Sequence, residues 1–366
     1  MIKQKLITKK YDVAVIGGGP AGASVALWMA RLGLSVALIE RSQYHGIRIG
    51  ETVHPSFNLD LKDMGLWERF LQDQHLPSYG NRSVWGDQVL NESHFLFSAY
   101  GTGWHLDRNK FDSMLVESAG KTGASIYLGT RISSISKGLT GQWDLSYEEG
   151  LISADFLVDA SGRTSHFPSL MGAERSLIDH LVGIGGILVP RKDVVQDLFT
   201  LTETTPNGWW YSAYLPSGHL IVWYFTDWDI CKRDCVLSVE DWLELLGNTV
   251  YTRLRSSFCL ERNKLIRRVA YSSCLNQMTG ENWLVVGDSA CAYDPLSSFG
   301  IQKGLRMGKK AAQAIVEYLG GTGMSPLLDY EAGIKKSFEN YLQKRKEYYG
   351  VERRWKECLF WTRRLA

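Results

Sequence analysis

The sequence has little net charge, few cysteines and no long apolar run, and each of these absences argues against a class of protein. Its 366 residues carry a formal net charge of +2, so no overall field favours binding to nucleic acid or to a membrane surface. No run of about 18 consecutive apolar residues is present, so we predict no transmembrane segment. A hydrophobic fraction of 45% supports a sizeable core, in one composite domain or in two domains.

Cysteine and histidine are too scattered to suggest a metal site. Cys231 and Cys235 form a CxxxC pair, but no second pair of cysteine or histidine stands near them. We therefore predict no bound metal, and reduced thiols as in a cytoplasmic protein. The basic start, MIKQKLITKK, leads into a strand pattern without a small-residue cleavage site, so no signal peptide is predicted.

The most informative segment, residues 11–40, reads YDVAVIGGGPAGASVALWMARLGLSVALIE. An apolar strand leads into Gly17, Gly19 and Gly22 in GxGxxG spacing, and a helix pattern, a second strand and Glu40 follow. Such glycines allow a tight turn, close approach of a pyrophosphate and close helix packing, with the helix N-terminus facing the phosphates. Glu40 stands where a carboxylate accepts hydrogen bonds from the adenosine ribose. This order predicts a dinucleotide site, although the motif alone does not separate NAD from FAD.

A second segment, residues 281–308, separates the two cofactors. It reads ENWLVVGDSACAYDPLSSFGIQKGLRMG, in which a strand ends at Gly287-Asp288 and a turn-rich loop precedes a helix. This pattern resembles the second FAD fingerprint of the aromatic-hydroxylase-like flavoprotein superfamily. The resemblance implies that Asp288 binds the ribityl chain and that the loop and the helix hold the flavin ring and the pyrophosphate. A helix that begins near Gly300 would direct its positive end at the pyrimidine side of the ring.

Three further segments are similar to the same superfamily. FLVDASGR at 156–163 matches a strand that ends near the adenosine, and LDRNKFDSMLVESA at 106–119 carries an arginine that reaches the FAD phosphates or the ribityl chain. GIRIGETVHP at 46–55 matches a loop along the flavin edge. The resemblance therefore predicts FAD as the cofactor. The predicted FAD-binding residues are Gly17, Gly19, Pro20, Ala21, Gly22, Glu40, Arg41, Arg48, Gly50, Arg108, Ile132, Ala160, Gly162, Asp288, Pro295, Ser298, Gly300 and Ile301.

The same matches predict an α/β fold with a Rossmann-like FAD-binding domain interleaved with an antiparallel β-sheet substrate domain. The FAD-binding domain is predicted to consist of residues 1–80, 104–177 and 264–320, and the substrate domain of residues 81–103 and 178–263.

Two smaller features complete the predicted organisation. Residues 83–90 and 94–97 have strand patterns. Residues 321–366 are predicted as a helical C-terminus rich in lysine and arginine. Such a segment indicates a solvated helical cap, with a docking face for an acidic partner or a membrane surface as the alternative.

Aromatic residues alternate along residues 208–228, where GWWYSAYLP and HLIVWYFTD flank a Ser-Gly turn. This alternation predicts a β-hairpin that sends half of its side chains to each face of a sheet. The resemblance places the sheet over the flavin as the roof of the substrate pocket, where aromatic rings would suit a large aromatic substrate. The predicted pocket residues are Trp209, Tyr211 and Trp223.

A narrower resemblance is to flavin-dependent tryptophan halogenases and to their smaller relatives, the flavoprotein maturases of cysteine tryptophylquinone amino-acid oxidases. WHLDR at 104–108, GWWY at 208–211 and DPLSS at 294–298 carry it. Halogenases have a WxWxIP segment where this chain reads WWYSAYLP, and they need a lysine beside the substrate, whereas none lies between Lys62 and Lys110. The resemblance to the maturases implies FAD-dependent hydroxylation of a tryptophan in the precursor of a quinoprotein amino-acid oxidase.

Other functions and the catalytic residues stay open. The alternatives are a hydroxylase or halogenase of a free aromatic metabolite, a prenyl-lipid reductase of the same fold, and a flavin-bearing binding protein without oxygen chemistry. No second GxGxxG is present, so the electron donor is unknown. Glu51 and His54, on the flavin-edge loop, are the predicted catalytic residues because a carboxyl or an imidazole there could relay protons.

Overall fold

The computed structural model describes residues 7–138, 140–190, 197–233, 238–255, 258–260 and 264–365. In these ranges the chain forms two large sheets, two three-stranded sheets and helices that pack on them. The strands, in chain order, are β1 (Ile7–Ile16), β2 (Val36–Glu40), β3 (Thr52–Val53), β4 (Leu76–Ser78), β5 (Gly80–Val84), β6 (Asn91–His94), β7 (Gly103–His105), β8 (Ser125–Leu128), β9 (Ser134–Lys137), β10 (Trp143–Tyr147), β11 (Gly150–Asp159), β12 (Arg175–Leu177), β13 (Leu181–Pro190), β14 (Phe199–Thr205), β15 (Gly208–Tyr214), β16 (Leu220–Asp227), β17 (Phe258–Leu260), β18 (Ile266–Val269), β19 (Ser273–Leu275), β20 (Thr279–Gly280), β21 (Trp283–Val285) and β22 (Cys291–Ala292). The helices are α1 (Pro20–Arg31), α2 (Phe57–Asp63), α3 (Trp67–Gln72), α4 (Arg108–Lys121), α5 (Phe167–Leu170), α6 (Trp228–Arg233), α7 (Val239–Gly247), α8 (Thr252–Arg255), α9 (Gly300–Glu317), α10 (Ser325–Val351) and α11 (Leu359–Leu365).

The first large sheet, which we call the nucleotide sheet, has the strand order β20-β21-β11-β1-β2-β8, with β10 and β9 added beside β11. Strand β1 pairs in parallel with both β11 and β2, as expected for buried strands joined by helical crossovers. Helix α1 lies against α9, where the Ser24 hydroxyl donates to the Leu305 carbonyl at 2.8 Å. This arrangement confirms the Rossmann-like part of the prediction.

The second large sheet, which we call the roof sheet, has the order β17-β13-β16-β15-β14-β5-β6, with β18 also paired to β13. Its central strands are antiparallel, as predicted. Alternation divides the aromatic residues between its two faces. Trp209 and Trp223 lie in one apolar cluster, while Trp210 and Tyr224 pack with Trp242 of α7 in another.

The structure corrects two of the smaller predictions. Residues 83–90 were expected to form one strand, but β5 ends at Val84, and the strand pattern of 94–97 is a 3-10 turn at Phe95–Phe97 after β6. Both segments are short and lie at the sheet edge, where apolar residues need not alternate. None of the helices in the described ranges is long and apolar enough to cross a bilayer.

The helical C-terminus is present, but it is more than a solvated cap. Tyr349, Trp361 and Arg364 are buried against the roof sheet, and Arg364 forms an ion pair with Asp227 at 2.7 Å. Part of its basic charge is therefore used inside the molecule, which composition alone could not indicate.

Candidate active site

A cleft of about 500 Å³ lies between the nucleotide sheet and the roof sheet. Its floor comes from the start of α1 and from the loop before α9, and its roof from β15, β16 and β18. The predicted site residues that line it are Gly19, Pro20, Ala21, Arg48, Gly50, Glu51, Arg108, Ala160, Gly162, Trp209, Tyr211, Trp223, Asp288, Pro295, Ser298, Gly300 and Ile301.

The glycine turn before α1 has the shape that a bound pyrophosphate requires. Gly17 has a φ of +106°, which side chains rarely adopt, and a Cβ on Gly22 would lie 1.9 Å from the Gly17 carbonyl oxygen. At Gly19 a Cβ would meet nothing within 4 Å, so the backbone faces open space at the helix N-terminus. No side chain caps this terminus, and its N–H groups stay available to an anion.

Glu40 lies behind this turn. Its Oε2 accepts from Gly18 N at 2.7 Å and its Oε1 accepts from Ser42 N at 2.9 Å. Burial opposes ionisation of Glu40, but these hydrogen bonds and Arg48 outweigh it and lower the pKa. A carboxylate at this place orders the turn and keeps lone pairs for a sugar hydroxyl.

Asp288, which lines the cleft, is held by two cations. Lys303 Nζ lies 2.8 Å from Asp288 Oδ1, and Arg163 Nε lies 3.0 Å from Oδ2. Burial opposes its ionisation, but Lys303 and Arg163 outweigh it and lower the pKa of Asp288 to about 2. The carboxylate is therefore charged and fixed in orientation where the ribityl chain is predicted.

The two arginines predicted beside the cofactor share one buried acid. Asp112 Oδ2 accepts from Arg48 Nη1 at 2.7 Å and from Arg108 Nη2 at 3.0 Å. Asp112 is fully buried on α4, one helical turn after Arg108. Asp112 was not predicted as a site residue from the sequence, although residues four apart on a helix lie side by side and Asp112 is four residues after Arg108.

Six predicted site residues do not line the cleft: Gly17, Gly22 and Glu40 belong to the glycine turn and its support, and His54, Arg41 and Ile132 lie elsewhere. His54 is exposed and contacts Ser56 and the Phe95 ring, so the structure does not bring it together with Glu51. Arg41 is exposed, and Ile132 is half-buried against the core of the nucleotide sheet. The predicted CxxxC pair cannot be described because Cys235 lies outside the described residues.

Glu51 is buried in the cleft wall beside Tyr211. Gly50 N donates to Glu51 Oε1 at 3.1 Å, and burial raises the pKa of Glu51 although Arg108 acts to lower it. The Tyr211 hydroxyl lies 2.5 Å from Thr52 Oγ1, which lies 2.9 Å from His105 Nδ1. Burial lowers the pKa of His105 to about 3, so its ring is neutral. The wall therefore combines a carboxyl that favours its uncharged form with a fixed phenol.

Tyr349 of α10 connects the roof sheet to the loop before α9 through two hydrogen bonds. Trp209 Nε1 donates to the Tyr349 hydroxyl at 3.0 Å, and that hydroxyl donates to Asp294 Oδ2 at 2.8 Å. Tyr349 and Asp294 are both buried. The contact joins residues far apart in the chain and gave no sequence signal.

We expect Tyr349→Phe to lower the free energy of unfolding by about 1–3 kcal/mol, because the variant leaves a buried indole N–H without a partner and removes one hydrogen bond to the buried Asp294 carboxylate. Urea denaturation measures this change. Tyr348→Phe is the control, since Tyr348 is 64% exposed, and its effect should stay within about 0.5 kcal/mol. Equal stability of the two variants would contradict the role of this hydroxyl.

A family model described as an FAD binding domain matches residues 10–338. The chain belongs to this FAD-binding family. It is 30% identical to the putative FAD-dependent oxidoreductase LodB of Marinomonas mediterranea, over 98% of both chains. It is 24% identical to a tryptophan 2-halogenase of Chondromyces crocatus, over 96% of this chain and 70% of that protein. The chain is thus a flavin-dependent enzyme with FAD as its cofactor.

Solved structures share the fold. The myxobacterial chondrochloren halogenase CndH superposes with a TM-score of 0.87 and 21% identity, covering 97% of this chain and 86% of that one. The peptidyl tryptophan dihydroxylase QhpG superposes with a TM-score of 0.83 and 22% identity, covering 97% and 79%. The halogenase-like architecture confirms the predicted fold class.

The residues of the cleft fit FAD. The start of α1 would hold the pyrophosphate, Glu40 the ribose and Asp288 the ribityl chain, while Arg48 and Arg108 would add positive charge near the phosphates. The open space at Gly19 and Gly300 leaves room for the cofactor where a side chain would obstruct it.

Proposed function

We propose that this protein is an FAD-dependent monooxygenase that hydroxylates a tryptophan of a precursor protein during the biogenesis of a tryptophylquinone cofactor. The substrate would be the precursor of a quinoprotein amino-acid oxidase. The observation that carries the proposal is the composition of the cleft. Aromatic side chains and the predicted FAD-binding residues line the same cleft, and no lysine is among the described residues that line it.

The similar proteins support this choice. QhpG is described as essential for tryptophylquinone cofactor biogenesis, and its fold covers nearly the whole chain. LodB, an oxidoreductase of nearly the same length, is also similar along its full length, whereas the tryptophan 2-halogenase extends beyond the match. A cleft without a lysine among its described lining residues favours oxygenation over halogenation.

The side chains of the cleft would have different roles in the reaction. FAD, once reduced by an external two-electron donor, would supply those electrons to dioxygen, so that one oxygen atom could enter the indole and the other leave as water. Trp209, Trp223 and Phe225 would stack on the indole and exclude water. Glu51 would hold or pass on the proton that the ring loses. Ile47 and Val269, which line the cleft, are 49% and 40% exposed and would contact the polypeptide around the target residue.

We expect Glu51→Gln to lower turnover by about 100-fold while FAD stays bound, because general acid–base groups contribute about 10²–10⁴-fold. Burial raises the pKa of Glu51, so the wild-type pH profile should show an ionisation above the usual glutamate range. Because the ionised carboxylate accepts the proton from the ring, activity should rise as pH rises through that value, and the variant should lack this ionisation.

The matched control for this variant is His54→Gln, because His54 is exposed and lies outside the cleft lining. It should keep wild-type turnover and the wild-type pH profile. Unchanged turnover of Glu51→Gln with FAD bound would remove Glu51 from the mechanism.

A single-turnover assay tests the proposal without knowledge of the electron donor. The FAD of the purified enzyme is reduced chemically, and air is then admitted in the presence of the unmodified precursor, or of free tryptophan with bromide. We expect an oxygenated tryptophan in the precursor and no brominated tryptophan. The FAD-dependent halogenases among the similar proteins make bromination the alternative, and a brominated product would replace the proposal.

A further inference from the structure

The cleft face of the roof sheet is built from two rows of residues that stand opposite one another on neighbouring strands. One row runs Trp209–Phe225–Gly183–Arg268 across β15, β16, β13 and β18. The other runs Tyr211–Trp223–Gly185–Ile266 across the same strands. Residues directly opposite in antiparallel pairs share one face. The first row therefore places a cation at the end of an aromatic surface.

The glycines of β13 let the rings lie flat on this surface. A Cβ on Gly185 would come within 2.5 Å of the Trp223 ring, and one on Gly183 within 2.8 Å of the Phe225 ring. The Trp209 and Phe225 rings are stacked with centroids 4.2 Å apart. The result is an apolar platform wide enough for an indole, with Arg268 along one edge.

Arg268 differs from the other arginines that line the cleft. Arg48 and Arg108 are paired with Asp112, and Arg163 is paired with Asp288. Arg268 is exposed, and its Nη1 donates to the backbone carbonyl of Arg267 at 2.9 Å. It forms no ion pair with any residue in the described part of the chain. Its charge is available to a bound molecule.

The acids of the cleft do not compensate this charge. Asp288 is held by Lys303 and Arg163, and Asp294 by Arg345 and Tyr349. Burial favours the uncharged form of Glu51. A carboxylate on the substrate would supply the missing partner.

We propose that Arg268 binds a carboxylate of the substrate, so that the cleft selects an indole with an acidic group beside it. The inference rests on the proposed function, since it takes the indole to lie on the aromatic platform. A guanidinium forms charge-assisted hydrogen bonds with a carboxylate and fixes its orientation. Two sources share this chemistry: an Asp or Glu side chain next to the target tryptophan, and the α-carboxylate of free tryptophan.

The test compares a charged indole with a neutral one of the same shape. Indole-3-propionate and indole-3-propionamide are titrated into the FAD-loaded enzyme, and the FAD absorption spectrum reports binding. We expect the wild type to bind the propionate about fivefold more tightly, the size typical of a partly exposed ion pair. Arg268→Gln should bind the two probes equally, and Arg268→Lys should keep part of the preference.

Arg267→Gln is the matched control. Arg267 has the same charge and is also exposed, but alternation directs it to the other face of the sheet. This variant should keep the preference for the propionate. Weaker FAD binding by Arg268→Gln alone would instead identify Arg268 as a cofactor ligand and overturn the inference.

Failure of the inference and failure of the proposed function have different results. Equal binding of the two probes by the wild type contradicts the inference alone, because the indole still binds. No spectral change with either probe contradicts the indole site and, with it, the inference.

Two peptides then identify the source of the carboxylate. Preference for acetyl-Trp-Asp-amide over acetyl-Trp-Asn-amide assigns the carboxylate to a neighbouring side chain of a polypeptide. Preference for free tryptophan over tryptophanamide, with equal binding of the two peptides, assigns it to a free amino acid.

Discussion

Gly22→Ala is expected to weaken FAD binding by about 100-fold or more. The new Cβ would lie 1.9 Å from the Gly17 carbonyl oxygen and 2.9 Å from the Ala160 Cβ. Both contacts are shorter than atoms tolerate, so α1 must move away from the turn where we expect the pyrophosphate to bind. Overpacking of this kind costs about 1–3 kcal/mol or more, and each 1.4 kcal/mol corresponds to about tenfold in affinity. Fluorescence titration of the apoprotein with FAD measures the loss.

A glycine-to-alanine change at an open position inside a helix should stabilise the fold, which makes such a change an informative control. Gly333 lies within α10, and a Cβ there would meet nothing within 4 Å. Gly333→Ala should therefore leave FAD affinity unchanged and stabilise the fold by about 0.5–1 kcal/mol. Wild-type FAD affinity in Gly22→Ala would show that the turn at Gly17 does not hold the cofactor.

Asp227→Ala is expected to destabilise the protein by about 3–5 kcal/mol. Asp227 Oδ1 lies 2.7 Å from Arg364 Nη2, and both side chains are only 2% exposed. Removing one partner of a buried pair leaves the other charge uncompensated in a low-dielectric region. Because this pair attaches α11 to the end of β16, its loss should also loosen the roof of the cleft. Urea denaturation of the FAD-loaded protein gives the free energy of unfolding.

A more exposed aspartate that pairs with the neighbouring arginine, Arg363, provides the comparison. Asp229 contacts Arg363 at 2.7 Å but is 54% exposed. Exposed ion pairs contribute about 0–1 kcal/mol, so Asp229→Ala should have a small effect. If the two alanine variants are equally stable, the buried pair does not anchor the C-terminus.

The parts of the fold that could be predicted are those encoded by local pattern. The turn from Gly17 to Gly22, the strand that ends in Glu40 and the helix that begins at Gly300 are fixed by short-range backbone geometry, and the structure has them as expected. Period-two alternation likewise predicted which face of the roof sheet carries Trp209 and which carries Trp210.

The parts that could not be predicted depend on contacts between distant segments. Asp112 accepts a hydrogen bond from Arg48, which is 64 residues away in the chain, and Tyr349 accepts one from Trp209, which is 140 residues away. No local pattern encodes such partners. The placement of His54 depends on such contacts too, because the loop that buries Glu51 turns His54 outward against Phe95. Which side of a loop faces a cleft is decided by tertiary packing.

The most direct test of the proposed function is the intact mass of a quinoprotein amino-acid oxidase that is co-produced with this protein. The precursor of a quinoprotein amino-acid oxidase is co-produced with the wild-type protein or with Asp288→Ala, which removes the carboxylate held by Lys303 and Arg163. We predict a mass gain equal to added oxygen, located on a tryptophan, with the wild type only. An oxidase of the same unmodified mass in both samples would contradict the claim that a protein-bound tryptophan is the substrate.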